Sequence, residues 1–339
     1  MNHFGGLGIC GSEKPKKDCG EFELVHKESF EIDHTDKIEL RGNFPVRVLG
    51  GSILVFLKNI IENHLEKVQH ELDSLKNQGK MNFIANKERV QIVAEIDKNG
   101  ISIYENYCQF LWSLPYSLIS INDECFKKPM LNKSFKGQLE RNVFFHKGIY
   151  SFNFGVNLTK AFSLFPSFVL PNPLKYDIVD QYYIEKANSI FSSGMAFSIL
   201  HELGHLYYCH LDAQKMLKQH EHDADEYALS MILAAPLDKV HLESYKYGAL
   251  ISLLSIIFID DSLSGGEEHP HPIDRIRFLL EQMKLDDQND LWGMAALGFA
   301  LWGQYYRKDY GFPKEMETFK ELFEYIGKRV DDHLVYGNL

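Results

Sequence analysis

The chain has 339 residues, 45% hydrophobic and 24% charged, with a formal net charge of −11. That length allows a large core in one extended domain or two smaller ones, and seventeen tyrosines with twenty-four phenylalanines exclude a chain too poor in apolar mass to fold. The acidic balance, with no dense Lys/Arg stripe to reverse it locally, excludes nucleic acid as an expected partner.

Residues 1–20, "MNHFGGLGICGSEKPKKDCG", read as a flexible N-terminus. They lack a charged stretch followed by an apolar run, so they do not read as a secretion signal. The five cysteines, Cys10, Cys19, Cys108, Cys125 and Cys209, are odd in number and form no CxxC pair. Reduced thiols in a cytoplasmic protein suit that pattern better than a disulfide framework.

From residue 21 to 175 the pattern is mixed. "EFELV", "SFEIDH" and "RVQIVAEI" alternate apolar and polar side chains as half-buried strands do. Between them, "ILVFLKNIIENHLEKVQHELDSLKN" carries apolar residues at helical spacing. "DKNG", ending at Gly100, signals a turn, and "ISIYENYCQFLWSLPYSLI" then begins an apolar helix or strand. The stretch from Asn122 to Lys175, rich in Pro, Gly, Asn and Lys, includes "FNFGVNLTKAFSLFPSFVLPNPLKY", which reads as short strands with prolines at their boundaries.

From Tyr176 onward nearly everything reads as helix. "DIVDQYYIEKANSIFSSGMAFSILHELGHLYYCH" is one long apolar-periodic segment, and "QHEHDADEYALSMILAA" is a second, stopped by Pro236. Further helices are expected over Leu242–Ile259, Pro272–Lys284, Leu291–Tyr306 and Pro313–Val330. The longest apolar runs, Gly248 to Ile259 and Leu291 to Gly303, fall short of the roughly 20 residues that span a bilayer, so no transmembrane segment is expected.

The helical half carries the chemistry. His201-Glu202-Leu203-Gly204-His205 fits H-E-x-x-H: residues four apart share a helix face, so both imidazoles can reach one zinc ion. Glu202 then stands at the edge of that face, placed to deprotonate a water, and Gly204 leaves room for a neighbouring helix. The alternative is two partly buried histidines on an apolar helix. A catalytic zinc needs three protein ligands and an open position, and sixteen residues after His205 comes "EHDADEYA". In that E-x-x-A-D-x-x-A pattern, Glu221 can supply the third ligand while Asp225 hydrogen-bonds the back nitrogen of a ligating histidine, most plausibly His201. The alanines, Ala224 and Ala228, allow close packing on the first helix. An acid-rich helix N-terminus would explain Asp223 but does not require that spacing. His220 and His222 read as surface or capping residues, with His222 a reserve ligand; Cys209 and His210 receive no role. In "EEHPHPIDRIRFLLE", Pro272 suits a first helical turn. There Arg275 is a candidate anchor to a carboxylate of the zinc-site helices, and His269 or His271 a candidate oxyanion stabiliser or a structural cap.

The order "HELGH", "EHDAD", "HPHPIDRI" resembles that of gluzincin-type zinc metallopeptidases, and most closely the Lit-type phage-exclusion peptidases, over about Ile184 to Leu280. The sequence pattern as a whole points to an α+β fold: a mixed strand/helix region at 21–175, read as recognition or regulation because it carries no catalytic motif, then a mostly helical, zincin-like metallopeptidase domain at 176–339. The resemblance implies one zinc ion, a protein substrate, host elongation factor Tu, and a phage-derived trigger. Two other readings remain: a repressor-cleaving metallopeptidase of mobile elements, and a non-catalytic zinc-binding domain that senses or binds a partner.

Overall fold

The computed structural model describes most of residues 100–127, 142–161, 176–208 and 217–336, with scattered strand and core positions between 24 and 97. Among these the chain is mostly helical. The strands are short: β1 (Leu24–His26), β2 (Met81–Ile84), β3 (Ala94–Asp97) and β4 (Gly100–Tyr104). They form one sheet in the order β1-β2-β4-β3, with β1-β2 and β2-β4 parallel and the β3-β4 hairpin antiparallel. "EFELV" and "RVQIVAEI" each contribute a strand, β2 and β4 add two more, and "SFEIDH" lies outside the described residues. The expected helix after Gly51 shows as helical, buried Ile53, Phe56, Leu57 and Ile60, the i, i+3, i+4, i+7 stripe of a core-facing helix.

Eight helices follow with defined bounds: α1 (Glu105–Asn122), α2 (Val143–Leu158), α3 (Gln181–Tyr207), α4 (Lys218–Ala234), α5 (Lys239–Ile259), α6 (Pro272–Gln282), α7 (Asp290–Tyr305) and α8 (Phe319–Tyr336). A π-helical turn, Asp123–Lys127, extends α1. Strand β4 runs directly into α1, so "ISIYENYCQFLWSLPYSLI" holds both elements. Every residue of α1 is buried, as expected of a helix enclosed on all sides. It packs against α2, α3, α5 and α7. Helix α3 in turn meets α5, α4, α1 and β3, while α6 braces α4 and α5, and α8 lies along α7.

The stretch expected to form strands between Asn122 and Lys175 instead contains α2. Asn142 caps this helix, its Oδ1 accepting from the backbone N–H groups of Phe144 and Phe145 at 3.0 Å each. Gly148 and Gly155, which punctuate the sequence like loop residues, lie seven apart on one helical face. A Cβ at either would run into Ser120 or Ser113 of α1. The glycines serve close helix packing, not a turn.

The last helix begins later than Pro313. Thr318 and Glu321 form a capping box: Thr318 Oγ1 accepts from Glu321 N at 3.1 Å, and Glu321 Oε2 accepts from Thr318 N at 3.4 Å. This box sets the start at Phe319.

Helix α5 is the one described helix long and apolar enough to cross a membrane by length and composition, but 67% of its apolar window is buried in the core. Its tightest contact is with α3, where Gly194 faces Gly248. Ser193 Oγ donates to Ser244 O at 2.6 Å, and Ser252 Oγ donates to Gly194 O at 2.8 Å. Two helix backbones therefore approach with hydroxyls satisfying the carbonyls between them. A Cβ on Gly248 would stand 2.6 Å from Ser193 C and press on Gly194 N. Because backbone cannot yield as a side chain can, Gly248→Val should destabilise the fold by about 3 kcal/mol or more, read as a lower denaturation midpoint at unchanged m value.

Candidate metal centre

The C-terminal end of α3 and the N-terminal end of α4 meet at Gly204. A Cβ there would lie 2.9 Å from Ala224 Cα and 3.2 Å from Tyr227 Cβ. Both Ala224 and Ala228 are fully buried in the contact. With no side chain between the backbones, the first turn of α4 lies beside the last turns of α3, and Glu221 comes level with His201 and His205.

His201 Nε2 and His205 Nε2 are 3.2 Å apart. Glu221 Oε2 lies 3.6 Å from His201 Nε2, and Oε1 lies 3.7 Å from His205 Nε2. The three donors fall within 4.8 Å of one another and could hold a metal ion. Tetrahedral ligands bound at 2.0–2.2 Å stand about 3.3–3.6 Å apart, so the spacing and the N, N, O donor set fit an ion such as zinc with little movement.

Behind His201 stands Asp225, its Oδ1 at 2.9 Å from Nδ1. An Nδ1–H donated to that carboxylate leaves the Nε2 lone pair facing His205 and Glu221, the tautomer a metal ligand requires. Burial opposes a charge on His201. The Asp225 hydrogen bond and the Asp225 and Glu221 carboxylates outweigh it, and the His201 pKa is raised.

Arg275, on the first turns of α6, closes the arrangement. Its Nε donates to Asp225 Oδ2 at 2.7 Å and its Nη2 to Asp225 Oδ1 at 2.9 Å, a bidentate pair. Its Nη1 reaches Glu221 Oε2 at 3.0 Å. Asp225, Arg275 and Glu221 are all buried. Burial would raise both carboxyl pKa values. For Asp225 the Arg275 charge and the hydrogen bonds from His201 and Arg275 hold it below the ordinary range; for Glu221 the His269 hydrogen bond and the His201, Arg275 and His205 charges do the same. Both acids stay ionised.

The two histidines of "HPHP" occupy different places. His269 Nδ1 is 3.5 Å from Glu221 Oε1, with 58% of its side chain exposed, so it stands at the solvent side of the centre. His271 Nδ1 instead accepts from Gly265 N at 2.8 Å, binding the preceding loop to the start of α6. His220 Nδ1 accepts from Leu217 N at 3.3 Å and caps α4, and His222 packs on Phe278. Neither joins the ligand group. Cys209 and His210 lie outside the described residues. Glu202 is half-buried beside the ligand pair. Between α1, α3 and α5, at positions the sequence pattern does not single out, two buried hydroxyl pairs meet, Tyr107 with Ser255 and Ser198 with Ser252.

The peptidase U49 family matches residues 101–295, more than half of the chain. The chain belongs to the peptidase U49 family. As a U49 peptidase it is a hydrolase acting on peptide bonds. The match begins in β4 and ends in α7, so it takes in α1 and α2 together with α3, α4 and α6. No curated protein and no solved structure matches the chain.

Replacing Arg275 by Met strands two buried carboxylates without their guanidinium and should cost about 3–5 kcal/mol of stability at neutral pH. The folded-state pKa of Asp225 is depressed, so its contribution is present above the ordinary value of 3.8 and is lost as pH falls through the lower folded value. The difference between wild type and Arg275→Met should thus be full near neutrality and shrink below the ordinary carboxylate range. Denaturant unfolding of both proteins across that range measures it.

Proposed function

We propose that this U49 peptidase is a zinc-dependent endopeptidase of the gluzincin type. His201, His205 and Glu221 are the metal ligands, Glu202 is the general base, and Asp225 orients His201. The observation that carries this reading is the convergence of two imidazoles and a carboxylate from adjacent helices at tetrahedral spacing. When bound, zinc polarises the scissile carbonyl and acidifies the attacking water. Glu202, at the edge of the ligand face, takes the proton from that water and returns it to the leaving amine. His201 keeps its Nδ1 proton toward Asp225 throughout, so its Nε2 lone pair stays available. His269, exposed at the solvent side of the ligand group, is the candidate partner for the developing oxyanion. Arg275 serves as the anchor that brings α6 against both acids.

Three donors with a carboxylate beside them support catalysis over a non-catalytic zinc domain, because structural sites are usually closed by four ligands and rich in cysteine. The resemblance to Lit-type phage-exclusion peptidases supplies a substrate, host elongation factor Tu, a phage-derived trigger and a cytoplasmic setting. Residues 21–175 are assigned to recognition or regulation within an α+β whole.

Glu202→Gln should keep its zinc and lower proteolysis by at least about 100-fold, whereas His201→Ala or Glu221→Ala should lose zinc by elemental analysis. Total protein from cells expressing wild type or Glu202→Gln, with and without phage challenge, tests the substrate. A new fragment of a translation factor with wild type alone supports the assignment. Undiminished cleavage by Glu202→Gln sinks the assignment of the base.

A further inference from the structure

Residues 262–266 lie against the entry to α6. Ser264 N donates to Ser262 Oγ at 3.0 Å, and Leu263 is buried, so this turn is pinned to the core. Gly265 then rests directly on the backbone of the "HPH" stretch. A Cβ there would run into His269 O and stand 2.5 Å from Pro270 C and 2.7 Å from His271 N. One hydrogen bond closes the contact, from Gly265 N to His271 Nδ1 at 2.8 Å. A backbone N–H can only donate, so His271 carries its proton on Nε2 and accepts as a neutral ring. The carbonyl of the same residue accepts from Asp274 N at 3.0 Å and Arg275 N at 3.3 Å, in the first turn of α6. His271 is thus tied by its side chain to the turn and by its carbonyl to the helix. Pro270, itself buried, and Pro272 fix φ on either side of it. At the head of this restrained segment stands His269, its Nδ1 3.5 Å from Glu221 Oε1 and 58% of its side chain exposed. An imidazole so open to solvent is placed chiefly by the backbone that carries it.

We infer that His271 is a positioning residue for His269: by clasping Gly265 N–H, it holds the His269 backbone at the solvent side of the ligand group. The inference rests on the metallopeptidase reading, and it divides the two histidines of "HPHP" between one task. His269 faces the reacting oxygen, and His271 keeps it there. An oxyanion partner acts only from within hydrogen-bond reach of the developing charge, and a displacement of about 1 Å is enough to lose most of its effect.

The test uses the full chain loaded with Co(II) and titrated with acetohydroxamate, followed by the visible bands of the metal. A bound hydroxamate carries negative charge on oxygen beside the ion, so its affinity reports whether His269 stands where an oxyanion partner must. His271→Leu removes the acceptor and should weaken acetohydroxamate binding about tenfold, with Co(II) uptake as in wild type. His271→Asn sets an amide oxygen near the place of Nδ1 and should restore the affinity. His271→Gln, whose amide lies one bond further out, should not. In the His269→Ala background His271→Leu should add nothing, because the group being positioned is gone. Should His271→Leu fail to fold, His271→Gln must show the same loss and the same non-additivity. Wild-type affinity in the folded variant, no recovery with His271→Asn, or losses that simply add would each overturn the assignment. So would a fall in Co(II) uptake, which would mean that the clasp acts through Arg275 instead. Wild-type protein that takes up no Co(II) overturns the metal-site reading itself, and this inference with it.

Discussion

Gly204 and Ala224 set how closely α3 and α4 can approach, and the candidate metal centre depends on that spacing. A side chain at position 204 would meet the Ala224 backbone at 2.9 Å and push Glu221 away from the two imidazoles. Ligand atoms at 3.2–3.7 Å tolerate little such movement, since metal–ligand bond lengths vary by only about 0.2 Å. The H-E-x-x-H pair would then remain on its helix as two histidines without a third donor. Helix packing at one glycine thus decides whether the chemistry can exist.

Close approach gathers charges that would otherwise repel or go unsolvated, and Arg275 resolves this. One guanidinium serves Asp225 in bidentate fashion and touches Glu221 with its third nitrogen. Two buried acids outweigh the one Arg, and the two imidazoles bind a metal in their neutral form, so the set is net negative and suited to a cation. A buried network of this kind adds little net stability, because desolvation consumes most of the Coulombic gain. What it does supply is orientation: Asp225 is held by α6 from one side and holds His201 on the other. The rigid base beneath, formed by the Gly194–Gly248 contact and the enclosed helix α1, keeps α3 from shifting under the site.

The departures from sequence expectation have local causes. Residues 143–158 look irregular because glycine and asparagine are turn formers in isolation. Against α1, the same glycines become the positions where two helices touch, and Asn142 becomes a cap. Likewise, Pro313 reads as a helix start until the reciprocal bonds of Thr318 and Glu321 are seen. In each case a residue type permits two local structures, and neighbours distant in sequence select one. Strand β2 is hidden for a simpler reason: four residues are too few to show a period.

Spacing along a helix is a local property, so the positions of His201, His205, Glu221 and Asp225 as candidate ligands and partner were readable from the one-dimensional pattern. The repeat of 3.6 residues places i and i+4 on one face whatever else the chain does. Which histidine Asp225 serves, how Arg275 divides its nitrogens, and the separate fates of His269 and His271 are matters of approach between α3, α4 and α6. No periodicity encodes those distances. The buried hydroxyl of Tyr107 against Ser255 is the extreme instance: 148 residues separate them in the chain, and only the packing of α1 against α5 brings them together.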